Sequence, residues 1–292
     1  MIQRILGALL CVFAMLSWAE EDISLATGQS LVISSGVNGG GYWSAASRLQ
    51  AVAEGKGVRV ENIASAGSLA NLEALADPGS PVNLAFAQAD AVEYFLSDNP
   101  GARAQISSLE NIGQECVFII TAAKSNYRTD IDLQKSKAFR LGIASHTSGV
   151  AVTFNYMTRR LPELSTVEVV YGDAASSIEN LHAPAASLDA VMVVHRPREH
   201  SREVDLALGD PERYRFLEVG DNRLTGRSDR GQAVYRSMKL AMPAQGYQRS
   251  TTVNTICVKG LLLANREKLI PKQESVLADI VDSHWMEVYA TQ

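Results

Sequence analysis

Apolar and polar positions along the chain follow two periods, and one unit recurs. A short β-branched run leads into a turn of Gly, Ser, Thr or Asn, and then into apolar residues at helical spacing. The first copy predicts a strand over residues 31–34, a turn over 36–41 and a helix over about 42–54. The second, VRVENIAS followed by AGSLANLEALAD, has Ser68 where an N-cap belongs and Leu69, Leu72 and Leu75 as its apolar stripe. The third, VNLAFAQADAVEYFL, predicts a strand ending at Gln88 and a helix starting near Asp90, a good N-cap type. After a β-like run at 117–122, the fourth predicts a strand over 139–144, a turn over 145–149 and a helix over 150–161 stopped by Pro162. A fifth apolar run, LDAVMVVHRPREH, breaks after His195.

Strands alternating with helices imply parallel or mixed sheets with crossover helices, an α/β architecture. Each turn then lies at the carboxyl end of a strand, where open α/β sheets bind ligands. A helix N-terminus at that edge presents unpaired N–H groups and the positive end of its dipole. The four turns therefore predict one cleft suited to a carboxylate or phosphate, with glycine letting the backbone itself be the contact surface. The glycines at 36, 39, 40 and 41 match neither the G-x-G-x-x-G dinucleotide fingerprint nor a P-loop, since no Gly-Lys-Ser/Thr follows.

The N-terminus changes the setting. MIQRILGALLCVFAMLSWAEED has one Arg, an apolar run and a small-x-small site at Ser17-Trp18-Ala19, so residues 1–19 read as a cleavable secretory signal. Cys11 follows Leu10 inside the apolar run, which disfavours a lipoprotein signal. Without the signal, 26 basic residues face 32 acidic ones, a net charge of −6, and nucleic acid is not an expected partner. At 46% hydrophobic residues a folded chain of two ordinary domains is expected, with no later run long enough to span a membrane. Cys116 and Cys257 remain, each in a β-like run, ECVFIITA and NTICVKGLLLA. Export permits a disulfide, and two buried thiols fit equally. No His or Cys stands at zinc spacing, and no metal or cofactor is predicted.

Catalytic signatures are sparse. SHTSG lacks the first Gly of G-x-S-x-G, and His146, His182, His195, His200 and His284 form no metal or protease pattern. His146 and His195 each follow a strand run and are candidate ligand contacts or, in an exported hydrolase, a general base. Tyr42 and Trp43 read either as core aromatics or as a cover for the apolar part of a ligand. Gln88 reads also as a buried residue bonded to backbone. Arg159 and Arg160 read as a solvated helix end, and Arg196 to Glu203 as an exposed loop in which Arg196 stands near enough to the strand end to pair with a carboxylate.

Six segments, GVNGGGYW, ASAGSLANLEAL, VNLAFAQADAVEYF, LGIASHTSG, LDAVMVVHRP and AMPAQGYQRSTTVNTICVKGLLLANREKL, together resemble the solute-binding proteins of TRAP transporters, the TAXI family. The resemblance implies a two-lobed, type II-like periplasmic binding protein. It would close on a small organic acid, a carboxylate such as an amino acid like glutamate, and deliver it to a TRAP-type membrane permease without catalysis. Carried over by residue, it implies ligand contacts at Gly39, Gly40, Gly41 and Tyr42, at Ser68 and Asn71, at Gln88 and Asp90, and at Ser145, His146, Thr147, Ser148 and Gly149. Trp43 and His195 join them from the reading above. The chain departs from the family at Trp43-Ser44, at His146 and at Tyr247-Gln248, which points toward a different or aromatic acid. The expected lobes are 20–120 plus 245–292 and 121–244, in a monomer, with the two cysteine runs as hinge strands. Side by side, those strands would bring Cys116 and Cys257 within disulfide reach. Other readings are an exported hydrolase and a receptor that reports ligand to a membrane sensor.

Overall fold

In the computed structural model, which describes residues 30–183, 187–197, 199, 201–228, 231–242 and 251–289, the recurring units form as strand–turn–helix. The signal segment, His200 and Tyr247-Gln248 lie outside these residues. The strands are β1 (Leu31–Ser34), β2 (Val60–Ile63), β3 (Leu84–Gln88), β4 (Ile106–Ala122), β5 (Arg140–Ile143), β6 (Glu168–Tyr171), β7 (Ala190–His195), β8 (Tyr214–Leu217), β9 (Tyr235–Ala241) and β10 (Thr252–Asn265). The helices are α1 (Gly41–Glu54), α2 (Ser68–Ala76), α3 (Ala89–Asp98), α4 (Asp130–Lys135), α5 (Gly149–Arg160), α6 (Ala174–Glu179), α7 (Arg202–Gly209), α8 (Asn222–Thr225) and α9 (Pro271–Tyr289).

All strands join in one mixed sheet, ordered β2-β1-β3-β10-β4-β7-β5-β6, with β8 beside β4 and β9 beside β10. Each end is a parallel triplet: β1 between β2 and β3, and β5 between β6 and β7. Between them run β4 and β10, antiparallel to each other. The second half of β10 pairs with β3 and its first half with β9, while β4 pairs with β7 through residues 116–121. At 17 and 14 residues they are long enough, at about 3.3 Å per residue, to serve both triplets.

Where one half hands over to the other, the β4–β10 register slips between Lys259/Gln114 and Leu261/Asn111, so Ile112 and Gly113 face Gly260 alone. Gly113 has φ 106°, which a β-carbon disfavours, and the bulge bends the strand there. Three residues on, Cys116 opposes Cys257 and the two form a disulfide, with Cα atoms 4.0 Å apart.

Apolar faces account for the layering. Leu31, Ile33 and Phe86 of the first triplet pack with Leu49 of α1 and with Leu277 and Ile280 of α9. The second triplet has a core on each face, around Phe139, Leu141 and Met157, and around Phe118, Ile178 and Val191. A further cluster joins Leu72, Leu75, Ala91 and Phe95 from α2 and α3 to Val152 of α5, so the two halves of the molecule touch. No helix among the described residues is long and apolar enough to cross a membrane.

Candidate functional site

The N-terminal ends of α1, α2 and α5 meet at a cavity of about 290 Å³, near the low edge of the usual size of small-molecule sites. Its walls include Gly40, Gly41, Tyr42 and Trp43 from the first turn, Gly67 and Ser68 from the second, Gln88 from the third and Ser145, Ser148 and Gly149 from the fourth. His195 and Arg196 close it from the end of β7, and Glu115 reaches it from β4. Each turn follows a strand in the direction the recurring pattern predicted, so the chain brings four distant segments to one place.

The second and fourth turns are in contact. Gly67, at φ 135°, precedes α2, and a β-carbon on it would lie 3.0 Å from the Gly149 nitrogen. One on Gly149 would meet Gln88 Oε1 at 2.2 Å. Glycine at both places lets the ends of α2 and α5 approach with Gln88 between them. Ser68 is the first helical residue rather than the cap, which is Gly67. The Ser68 hydroxyl donates to Gln88 Oε1 at 3.4 Å and accepts from Gln88 N at 3.3 Å. Ser148 is the side-chain cap of α5: its hydroxyl accepts from Ala151 N at 3.2 Å and donates to Ser145 O at 2.6 Å.

Five of the residues singled out in the sequence lie off the cavity wall. Asn71, fully buried, accepts from Ser34 Oγ at 2.6 Å and donates to the Ser35 and Phe86 carbonyls at 2.7 Å each; its amide pins α2 to β1 and β3. Asp90 is not a cap, since Gln88 holds that position. It is fully buried, and its Oδ2 accepts from Thr153 Oγ1 and from Tyr235 Oη, both at 2.7 Å. It ties α3 to α5 and β9, and desolvation raises its pKa, against the pull of those bonds. His146 is exposed and meets the Tyr171 ring edge-on, Gly39 is exposed, and Thr147 is half-buried with its carbonyl toward Gly67.

The loop after β7 departs from the expectation of an exposed, solvated segment. Arg196 is only 7% exposed, because its Nη1 donates to Glu199 Oε1 at 2.8 Å and carries both side chains to the cavity. His195 Nδ1 sits 3.0 Å from the Arg196 carbonyl. Glu115, which sequence reading passed over inside an apolar strand, has its carboxyl pushed up to about 7 by burial, with Tyr42 and Arg196 pulling the other way. Its one sequence signal is a lone acid in the run ECVFIITA. The Tyr42 hydroxyl is its neighbour and is buried without a hydrogen bond of normal geometry, and burial holds its pKa well above 10.

In chemical terms the cavity offers helix N-termini, hydroxyls, one guanidinium, two carboxyls and an apolar side of Val37, Trp43, Val150 and Val194. The Ser68 and Ser148 hydroxyls bond Gln88 and backbone rather than a histidine. Among the described residues no group of three or more His, Cys, Asp or Glu is placed to hold a metal ion.

About 90% of the chain is similar to solved structures. The GluR0 ligand-binding core in complex with L-glutamate matches over 90% of this chain and 96% of its own, at 12% identity and a TM-score of 0.51. The arginine-, lysine-, histidine-binding protein ArtJ from Geobacillus stearothermophilus matches over 89% and 93%, at 11% identity and 0.50. The fold is that of the two-lobed periplasmic binding proteins. XAC2383 from Xanthomonas citri bound to chloride ion is similar over 90% and 89% of the two chains, at 10% identity and 0.50. At such identities the likeness is one of fold. No family model matches the chain, and no curated protein matches it.

Proposed function

We propose that the protein is an exported solute receptor of the TAXI type, which captures a small organic acid between its lobes and delivers it to a TRAP-type membrane permease. In this reading residues 1–19 are removed on export to the periplasm. Residues 20–120 with 245–292 form one lobe and 121–244 the other, β4 and β10 are the hinge, and the receptor works as a monomer without catalysis. The observation that carries it is the convergence of three helix N-termini and Arg196 on one open cleft at the meeting of the two halves of the sheet. Unpaired N–H groups at helix N-termini bind a carboxylate, and closure around it excludes water.

The contact set of this reading is Gly40, Gly41, Tyr42, Trp43, Ser68, Gln88, Ser145, Ser148, Gly149 and His195, with Glu115, Arg196 and Glu199 added. The test is a thermal-shift screen of residues 20–292, freed of co-purified ligand, against amino acids, dicarboxylates, aromatic acids, phosphate and sulfate. A ligand that binds only the folded state stabilises it by about 2.7 kcal/mol at a hundredfold excess over its Kd. A selective shift by one class, without turnover and reduced in Ser68→Ala, supports the receptor. Turnover lost on His195→Ala would instead establish a hydrolase.

A further inference from the structure

The charges that meet in the cavity do not make a simple anion site. Arg196 is already paired with Glu199, at 2.8 Å. The other Glu199 oxygen lies at the start of α1, where a β-carbon on Gly41 would sit 3.9 Å from Oε2. The protein's own carboxylate thus stands at the helix end that would otherwise receive one from the ligand. Glu115 adds a second acid to the cavity, with Tyr42 and Arg196 as its favourable neighbours and Asp90 and Glu199 opposing its ionisation. Gly260 makes room for it on the neighbouring strand: a β-carbon there would lie 3.3 Å from Glu115 Oε1. Beside it is the buried hydroxyl of Tyr42, which makes no hydrogen bond of normal geometry.

We infer that the cleft selects a zwitterionic amino acid with an apolar side chain, its ammonium held by the Glu115 carboxylate and the Tyr42 hydroxyl and its carboxylate by N–H groups at the starts of α2 and α5. The inference rests on the receptor reading and narrows it. An ammonium adds a positive charge beside the Glu115 carboxylate, which Arg196 and the Tyr42 hydroxyl already favour, and gives Tyr42 Oη a donor to accept from. A dicarboxylate would bring two negative charges toward Glu115 and Glu199 with one guanidinium, already paired, to offset all of them. Val37, Trp43, Val150 and Val194 give an uncharged side chain an apolar wall, and the cavity has room for one such molecule.

Protonation separates the two ligand classes. Since burial pushes Glu115 up to about 7, its ionised form, which an ammonium needs, is lost as the pH falls through neutrality. A bound anion gains from the same change. The groups acting on Glu115 are Tyr42 from α1, Asp90 from α3, and Arg196 and Glu199 from the end of β7, and His195 lines the same cavity. Lys259 stands on β10 next to Val258, the register partner of Glu115. Replacing Glu115 alone isolates its contribution from theirs.

Isothermal titration of residues 20–292 with L-leucine, L-phenylalanine, L-glutamate and succinate at pH 6 and pH 8 tests the inference, on the wild type, Glu115→Gln and Tyr42→Phe. Expected is binding of leucine or phenylalanine, about tenfold tighter at pH 8 than at pH 6 as a carboxyl near 7 ionises. In Glu115→Gln the affinity falls by about tenfold or more at pH 8 and the pH dependence flattens; Tyr42→Phe weakens binding and keeps the slope. Tighter binding of succinate or glutamate, affinity rising toward pH 6, or a Glu115→Gln protein that binds the amino acid like the wild type overturns the inference and leaves the receptor standing. Binding of none of the four acids by folded, ligand-free protein overturns the inference, and a silent thermal-shift screen would remove the receptor reading with it. If Glu115→Gln does not fold, the wild-type ligand order and pH slope decide.

Discussion

Asp90 offers a direct test of what holds the two halves of the molecule together. Replacing it with Ala removes the acceptor for Thr153 Oγ1 and Tyr235 Oη, both at 2.7 Å, and all three residues are buried. A buried hydroxyl left without a partner costs about 1–3 kcal/mol. The two together would cost about 2–6 kcal/mol, less what Tyr235 recovers through its longer contact, 3.4 Å, with the Thr153 carbonyl. Removing an acid that desolvation already penalises lowers the figure further, and a net loss of about 2–4 kcal/mol is expected. Asp90→Asn keeps an acceptor oxygen and should lose about 1 kcal/mol. Urea denaturation followed by circular dichroism, with unchanged m-values, gives both numbers.

The pH dependence has a definite sign. The folded pKa of Asp90 is raised, so between the unfolded carboxylate value, about 3.9, and that raised value the folded state binds more protons. The contribution of Asp90 is fully present below the unfolded value and is lost as the pH rises through the folded one. Wild-type stability should therefore fall, relative to Asp90→Asn, as the pH rises across that window. A loss under about 0.5 kcal/mol in Asp90→Ala, with parallel pH profiles, would refute the reasoning, because it would mean that neither hydroxyl depends on the carboxylate.

Reducing the Cys116–Cys257 bond, which closes a separation of 141 residues, should lower stability by about 2–5 kcal/mol in urea titrations with and without reductant. Coincident curves would show that the bond constrains nothing in the unfolded chain. Gly149→Ala places a β-carbon 2.2 Å from Gln88 Oε1, so it should displace Gln88 and weaken ligand affinity by about tenfold or more in calorimetry, which unchanged affinity would contradict. Asn71→Ala leaves the Ser34 hydroxyl and the Ser35 and Phe86 carbonyls unpaired and should cost about 2–4 kcal/mol by denaturant melting. Gly67→Ala, at φ 135° against the start of α5, should lower stability by about 1–3 kcal/mol in the same assay.

Local order was legible where the apolar period was unambiguous. The strand at Leu31–Ser34, the end of β3 at Gln88 and the stop of α5 before Pro162 follow from composition and punctuation within a few residues. The apolar pattern shows β4 only from about residue 115, because its first half, ISSLENIGQ, is mostly half-buried and carries no apolar stripe. The parallel triplets were implied by alternation, but the antiparallel middle of the sheet was not, since pairing between distant strands leaves no local period. The four turns were legible as a set because glycines and small polar residues follow a strand in each.

What the sequence by itself determined is therefore the list of strand–turn–helix units and the edge of the sheet on which their turns lie. Tertiary structure alone decided which side chains at that edge remain open to a ligand. Asn71 and Asp90 belong to the right turns, yet their hydrogen-bonding capacity is consumed by β-strand carbonyls and by hydroxyls from α5 and β9. Glu115 and Arg196 come from segments that read as apolar strand and solvated loop, and they reach the cavity because β4 and β7 pair side by side at Cys116 and His195. Hydrogen-bond satisfaction and burial are properties of partners far apart in the chain, and no local spacing encodes them.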